Sequence, residues 1–251
     1  MANENNNASQ EESGSQRVKA VLGLRGLIVD GVLLPGTRIS EQMLAEKLGI
    51  SRTPARAALE RVRDEGLLVS QVGGGFAVAS FTESDVLEAI EIRGVLEGTA
   101  ARYAAERGVS PALLKRMDDC VARLDKVVLN PNRIDDSEYA VLNDMFHELL
   151  VEAAASPMLR RSLEHAEALP FAGPNAFVTT LHNDPTWMSR HMNVTQEQHR
   201  SILEAIRARE GSRAENLARE HSRAAWRYLQ KALELQSSTT SHALSFLRAR
   251  G

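Results

Sequence analysis

Two short helical patterns joined at a single glycine limit what the first third of this chain can become. Ser40 to Leu48 (SEQMLAEKL) places Met43, Leu44 and Leu48 inward, and Gly49 supplies a sharp stop. Ser51 to Gly66 (SRTPARAALERVRDEG) then sets Ala55, Ala57, Ala58, Leu59 and Val62 at helical spacing, with Arg52, Arg56, Arg61 and Arg63 over the remaining surface. Ser51 or Thr53 is expected to cap the second helix, and Pro54 sits where a missing N–H costs nothing. Two helices about a glycine turn predict a helix-turn-helix.

The flanking segments complete a small domain around that pair. Arg17 to Asp30 reads as one apolar-rich helix ended by Gly31, followed by a turn at Leu33 to Gly36. After Gly66, Leu67 to Ser70 and Phe76 to Ala79 are β-like runs about Gln71-Val72-Gly73-Gly74-Gly75, whose glycines permit positive φ at a hairpin tip. Three helices and then a hairpin is the order of a winged helix-turn-helix.

Beyond Phe81 to Ser84 every pattern is helical. Helices are expected over 83–107, 111–129, 135–155, 157–182 with a break, 185–209 and 212–236, the break falling at Pro170 to Pro174 because two prolines remove donors and crowd the preceding turn. The predicted fold is mainly α: a disordered tail over 1–15, too poor in apolar residues to offset its ordering entropy, a winged helix-turn-helix over 16–81, an all-helical bundle of about six helices over 82–236, and an extension over 237–251.

Charge sharpens the division. The net charge is −3, yet residues 16–80 hold nine Lys or Arg against six Asp or Glu, while residues 81–251 are mildly acidic. A basic module joined to an acidic one suits a first domain that meets phosphate and a second that does not. Cys120 is the only cysteine, so no intrachain disulfide forms. The polar start has no signal-peptide character and no stretch approaches a membrane span, so the expectation is a cytoplasmic protein without membrane partners.

The bundle carries a second constellation. Asn143 and His147 are four apart on one helix and project from the same face. His199 and His221 lie on the last two long helices, with Gly211 between them, so antiparallel packing brings two imidazoles together. His165, His182, His191 and His242 are read as surface or hydrogen-bonded core. Phe146, Phe171, Phe177 and Trp187 are candidates for an aromatic pocket wall, although aromatic residues in a bundle are more often plain core.

The run GVLLPGTRISEQMLAEKLGISRTPARAALERVRDEGLLV resembles the DNA-binding domain of GntR-family regulators, through its PG, LA-x-x-LG-x-SRTP-x-R and GL elements. IEIRGVLEGTAARYAAERG, NDMFHELLVEAAASPML, and the histidines in EQHRSILEAI and REHSRAA resemble the helical FCD ligand-binding domain of the same family. IEIRGVLEG, NDMFH and LPFAGPNAF look closest to vanillate-responsive repressors.

That resemblance implies DNA contact by Ser51, Arg52, Thr53 and Arg56, with Gly73 at the wing tip near the minor groove; arginine at a helix N-terminus in the major groove favours guanine. The alternative is a solvated arginine face. It also implies a divalent metal on Asn143, His147, His199 and His221. Where the family often has aspartate this chain has Asn143, so the donor set is neutral and favours an anionic ligand; imidazole suits zinc, with nickel and copper as alternatives. Arg93 is the implied cation for an effector carboxylate, or else a helix-surface partner of Glu97 at i+4.

The expected function is a homodimeric, metabolite-responsive repressor on a double-stranded DNA operator, controlling catabolism of aromatic acids of the vanillate or hydroxycinnamate type and released by a small carboxylate effector. The rival enzyme reading, a metal-dependent hydrolase or lyase, lacks a positioned base, because Glu148 follows His147 directly and points about 100° away. A third reading is an architectural DNA binder with a purely structural metal.

Overall fold

The structure is a computed structural model and describes residues 16–28, 31–129, 136–169, 171–175 and 185–236. The segments expected as tail (1–15) and extension (237–251) lie outside the described residues, as do Phe177, His182 and His242. The chain divides into two compact units between Ser84 and Asp85.

In the first unit, helix α1 (16–28) buries Ala20, Leu24 and Ile28, one turn apart, and Gly31 follows at φ +70°. Helix α2 (Glu41–Leu48) is capped by Ser40, whose hydroxyl accepts from Met43 N at 3.2 Å, and closed by Gly49 at φ +64°. Its buried residues are Leu44 and Ala45. Helix α3 (Arg52–Asp64) buries Pro54, Ala55, Ala58, Leu59 and Val62 along one stripe. Ser51 occupies the cap position with extended backbone, but its side chain makes no capping hydrogen bond. The capping role expected of it is therefore not met, and its hydroxyl stays exposed. Glu65, 6 % exposed, ties α1 to α3 by accepting from Arg25 and Arg61 at 2.8 Å each.

The hairpin is present as β2 (Leu68–Ser70) and β3 (Phe76–Val78), with Leu68 opposite Val78 and Ser70 opposite Phe76. A further strand not expected from the pattern, β1 (Arg38–Ile39), lies between the turn at Leu33 to Gly36 and α2. It pairs antiparallel with β3, Arg38 opposite Ala77, so the order is β1-β3-β2 and β3 is central. At the tip Gly73, Gly74 and Gly75 lie at φ +91°, +98° and +80°, a run that L side chains resist.

The second unit is the expected bundle: α4 (Glu83–Arg107), α5 (Pro111–Val128), α6 (Asp136–Ala153), α7 (Pro157–Ala166), α8 (Pro185–Arg207) and α9 (Gly211–Gln236). Ser110 and Ser156 cap α5 and α7, each with proline in the first turn. α7 ends well short of the proline pair at which its interruption was expected, at Glu167, whose N–H closes the last turn on Leu163 O at 2.8 Å.

α4 and α9 run antiparallel in close contact, with Arg223 beside Glu91, Arg102 against Glu215, and Gly211 against Glu106. Two glycines permit the approach. A Cβ on Gly94 would sit 2.1 Å from Ser222 Oγ, and one on Gly98 would sit 2.6 Å from Arg219 Cγ. The residues immediately before them, Arg93 and Glu97, are thereby carried into the core. Among the described residues no helix is long and apolar enough to cross a membrane.

Candidate metal centre and nucleic-acid interface

The face of α3 opposite its buried stripe presents Ser51, Arg52, Thr53 and Arg56, all exposed. Arg52 and Arg56 are one helical turn apart and so share that face. Arg56 donates to Glu60, one turn further along α3, at 3.0 Å and lies 3.8 Å from Glu41 of α2. With the capping hydroxyl of Ser51 free, the leading end of α3 offers two hydroxyls, Ser51 and Thr53, and two cations beside unsatisfied first-turn amides, a surface suited to phosphate and base edges. Gly73 is exposed at the hairpin tip in the same unit.

In the bundle three histidines from three helices converge. His147 on α6, His199 on α8 and His221 on α9 are 6 %, 0 % and 6 % exposed. Their Nε2 atoms face one another, His199 to His221 at 3.0 Å and His221 to His147 at 3.4 Å. Each ring's other nitrogen meets a side-chain oxygen: Nδ1 of His199 lies 3.0 Å from Gln196 Oε1, that of His221 3.1 Å from Gln198 Oε1, and that of His147 2.7 Å from Glu97 Oε1.

The hydrogen-bond network assigns the tautomers. Gln196 Nε2 donates to Val121 O at 3.0 Å and to Asp125, so its oxygen faces His199 and must accept the Nδ1 proton. Asp125 is held in turn by Arg200 at 2.6 Å. Glu97, ionised, can only accept. Burial pushes its carboxyl up, but His147 first and Arg93 next outweigh that and hold it at about 2. Burial and then the neighbouring histidines hold His199 and His221 well below the usual imidazole range, so both are neutral.

In the Nδ1–H form that ligation requires, the three imidazoles turn their Nε2 lone pairs toward one another. Lone pairs at 3.0–3.4 Å repel unless a cation sits between them, and metal-ligating histidines characteristically engage their second nitrogen in this way. With metal–nitrogen bonds of about 2.1 Å, those separations correspond to angles of roughly 90° and 110° at the ion. The donor set therefore fits a divalent metal, and among the described residues it is the group of His, Cys, Asp or Glu able to hold one.

Asn143, 4 % exposed, stands one turn before His147. Asn175 donates to Ala140 O at 2.7 Å and accepts from Asn143 Nδ2 at 3.0 Å, which fixes the Asn143 amide with its oxygen as the uncommitted atom. Asn143 and Arg93 line a cavity of about 20 Å³ together with His147, His221, Tyr139 and Thr195. Tyr139 and Thr195 hydroxyls are 2.9 Å apart, and Thr195 donates to Met192 O. A larger open groove of about 660 Å³ along the outer faces of α4 and α9 contains none of the histidines.

Arg93 is 2 % exposed and Glu97 1 %. The reading of these two as a helix-surface pair is overturned, because α9 covers them. Arg93 reaches Ser222 O only at 3.4 Å, and its Nε and Nη1 have no hydrogen-bond partner among the described residues. A buried cation with open donors is a ready anion site. Phe146 and Phe171 are core, Phe146 lying 4.2 Å from the His199 ring. Trp187 stacks on His191 at 4.6 Å, away from the cavity wall. The three oxygen acceptors behind the histidines escaped sequence reasoning. Gln196 was legible in principle, three residues before His199 and so on its face.

Comparison with known proteins decides the family. A family described as "FCD domain" matches residues 88–224, and "Bacterial regulatory proteins, gntR family" matches residues 16–78. The chain belongs to the GntR family, with a C-terminal FCD domain. It is 30% identical over 184 residues to the uncharacterized HTH-type transcriptional regulator YdhC of Bacillus subtilis, covering 73% of this chain and 81% of that one. It is 28% identical over 213 residues to the Glc operon transcriptional activator of Escherichia coli K12, covering 78% and 82%. The solved structure of E. coli McbR/YncC superposes with a TM-score of 0.61 at 21% identity over 89% of this chain and 99% of that one, a likeness of fold. This GntR-family chain is a transcriptional regulator, and the enzyme reading is set aside.

Proposed function

We propose that this GntR regulator is a cytoplasmic homodimer that binds a double-stranded DNA operator through residues 16–81 and senses a small carboxylate through a divalent metal held in residues 82–236. The convergence of three Nε2 atoms, each with its Nδ1 engaged by an oxygen, carries the reading. His147, His199 and His221 hold the ion, with the Asn143 oxygen as a fourth donor, and zinc suits this set ahead of nickel. A bound dication supplies an electrophilic point for a carboxylate oxygen. Arg93 supplies the second anchor and orients the ligand across the cavity. Ser51, Arg52, Thr53 and Arg56 read the major groove, with Gly73 at the wing.

The finer reading is a repressor of aromatic-acid catabolism, with an effector of the vanillate or hydroxycinnamate type that releases the operator. It rests on resemblance in 90–98, 143–147 and 169–177. The cavity, at about 20 Å³, has room for one water-sized group, so an aromatic ring enters only with displacement of its walls. The test is a thermal-shift series on the full chain with zinc and then with vanillate, ferulate and aliphatic hydroxy acids. Zinc at a hundredfold excess over its Kd is expected to add about 2.7 kcal/mol. A carboxylate that raises the transition further in wild type but not in Arg93→Met, and that lowers operator affinity, supports the reading. No zinc response, or one retained in His147→Ala, overturns it.

A further inference from the structure

Of the three groups behind the histidines, two are amides and one is a carboxylate. The difference has chemical weight because the proposed donor set, three imidazoles and an amide oxygen, carries no charge. Glu97 sits one turn after Arg93 on α4, 1 % exposed, with Oε1 at 2.7 Å from His147 Nδ1. Oε1 meets Nδ1 as an ion-pair contact, and neither carboxylate oxygen has a further hydrogen-bond partner among the described residues. A buried carboxylate without full partners is held only where other charges demand it. Its position is built: Gly98 lets α9 close over this turn of α4, where a Cβ would meet the Glu215 carbonyl at 3.0 Å. Glu97 lies outside the group of ligand atoms that share one point, so it is not itself a ligand.

We infer that Glu97 is the positioning residue of the metal centre, which fixes His147 as the Nδ1–H tautomer with its Nε2 lone pair inward and supplies the negative charge that Asn143 does not. The inference rests on the metal reading above. A carboxylate behind an imidazole raises the ring's basicity and locks its orientation, and losing such a partner typically weakens metal affinity 10- to 100-fold. The amides behind His199 and His221 orient those rings without compensating charge. Arg93, on the same face of α4, stays free for the ligand.

The experiment uses the full chain as wild type, Glu97→Gln, Glu97→Leu and Glu148→Gln. Glu148 also neighbours His147 in sequence but is 70% exposed and paired with Arg160, so it controls for general charge. Zinc and cobalt dissociation constants are measured by competition with a chromophoric chelator, with far-UV circular dichroism to verify folding. Long-range ¹⁵N–¹H spectra of the chelator-treated protein report the His147 tautomer. Glu97→Gln is expected to bind both metals 10- to 100-fold more weakly and Glu148→Gln within twofold of wild type; His147 is expected as Nδ1–H in wild type and to lose that single form in Glu97→Leu. Affinity within twofold in Glu97→Gln, an equal loss in Glu148→Gln, or a wild-type His147 protonated on Nε2 overturns the inference while leaving the metal centre intact. A wild type that binds neither metal sinks both.

Discussion

Replacing Gly94 by alanine tests whether the contact between α4 and α9 builds the site. In a solvent-facing helix the change would stabilise by about 1 kcal/mol, because alanine restricts the unfolded chain and favours helix. Here the added methyl carbon would lie 2.1 Å from Ser222 Oγ and 3.0 Å from Ser222 Cβ. Carbon atoms prefer about 3.5–4.0 Å. Rotating Ser222 clears the oxygen at the cost of its 2.8 Å bond to Arg219 O, about 0.5–1.5 kcal/mol. It does not clear the Cβ, so α9 must also yield by some tenths of an ångström, and overpacking of this kind costs about 1–3 kcal/mol. The clash outweighs the propensity gain, and the net expectation is a loss of about 1–2 kcal/mol, read from urea denaturation followed by circular dichroism. Ser222→Ala in the same background removes the nearest atom and is expected to be less harmful there than in wild type. Because His221 adjoins Ser222, Gly94→Ala should also weaken zinc binding. A Gly94→Ala protein more stable than wild type, or additive with Ser222→Ala, would refute the packing argument.

Two further outcomes are expected. Arg52→Ala and Arg56→Ala, measured by fluorescence anisotropy on the regulator's own promoter across a salt series, should each weaken binding, and a phosphate-contacting arginine should lower the log–log salt slope by about 1; unchanged affinity in both would remove the leading end of α3 from the interface. His191, stacked on Trp187 and buried, is held down at about 4, by burial first and then by Arg227. The unfolded chain therefore takes up the proton more readily, so the stability associated with neutral His191 is complete above about 6.5 and drains away as pH falls toward 4, by roughly 3 kcal/mol at most. His191→Phe should flatten that part of the stability–pH curve, and an unaltered slope would count against it.

The winged domain was legible because its signals are local. Gly49, the Ser40 cap, the stripe from Ala55 to Val62 and the glycine tip each act over a few residues. β1 was not, because two residues carry no periodicity and Arg38–Ile39 become a strand only through β3, some forty positions away. The histidine triad was read from resemblance together with helix spacing. The burial of Arg93 and Glu97 was not, since nothing in α4's own pattern tells that α9 closes over them; the signal lay in two glycines four apart, whose meaning depends on the partner helix. Asn143 was identified, but the Asn175 contact that orients its amide lies in a loop beyond any helical periodicity.

The chain of contacts from Arg200 through Asp125 and Gln196 to His199 has a direction. Arg200 can only donate and Asp125 only accept, so Gln196 must present its amide nitrogen to the carboxylate and its oxygen to the imidazole. Reversing any link would set two acceptors, or two donors, face to face, with the Val121 carbonyl as a second objector. A half-exposed arginine on the outside of the bundle thus dictates which nitrogen of a fully buried ring keeps its hydrogen. The polarity of the site is written at the surface, and a substitution at Asp125, which touches no histidine, would be felt as a change in which atom His199 offers.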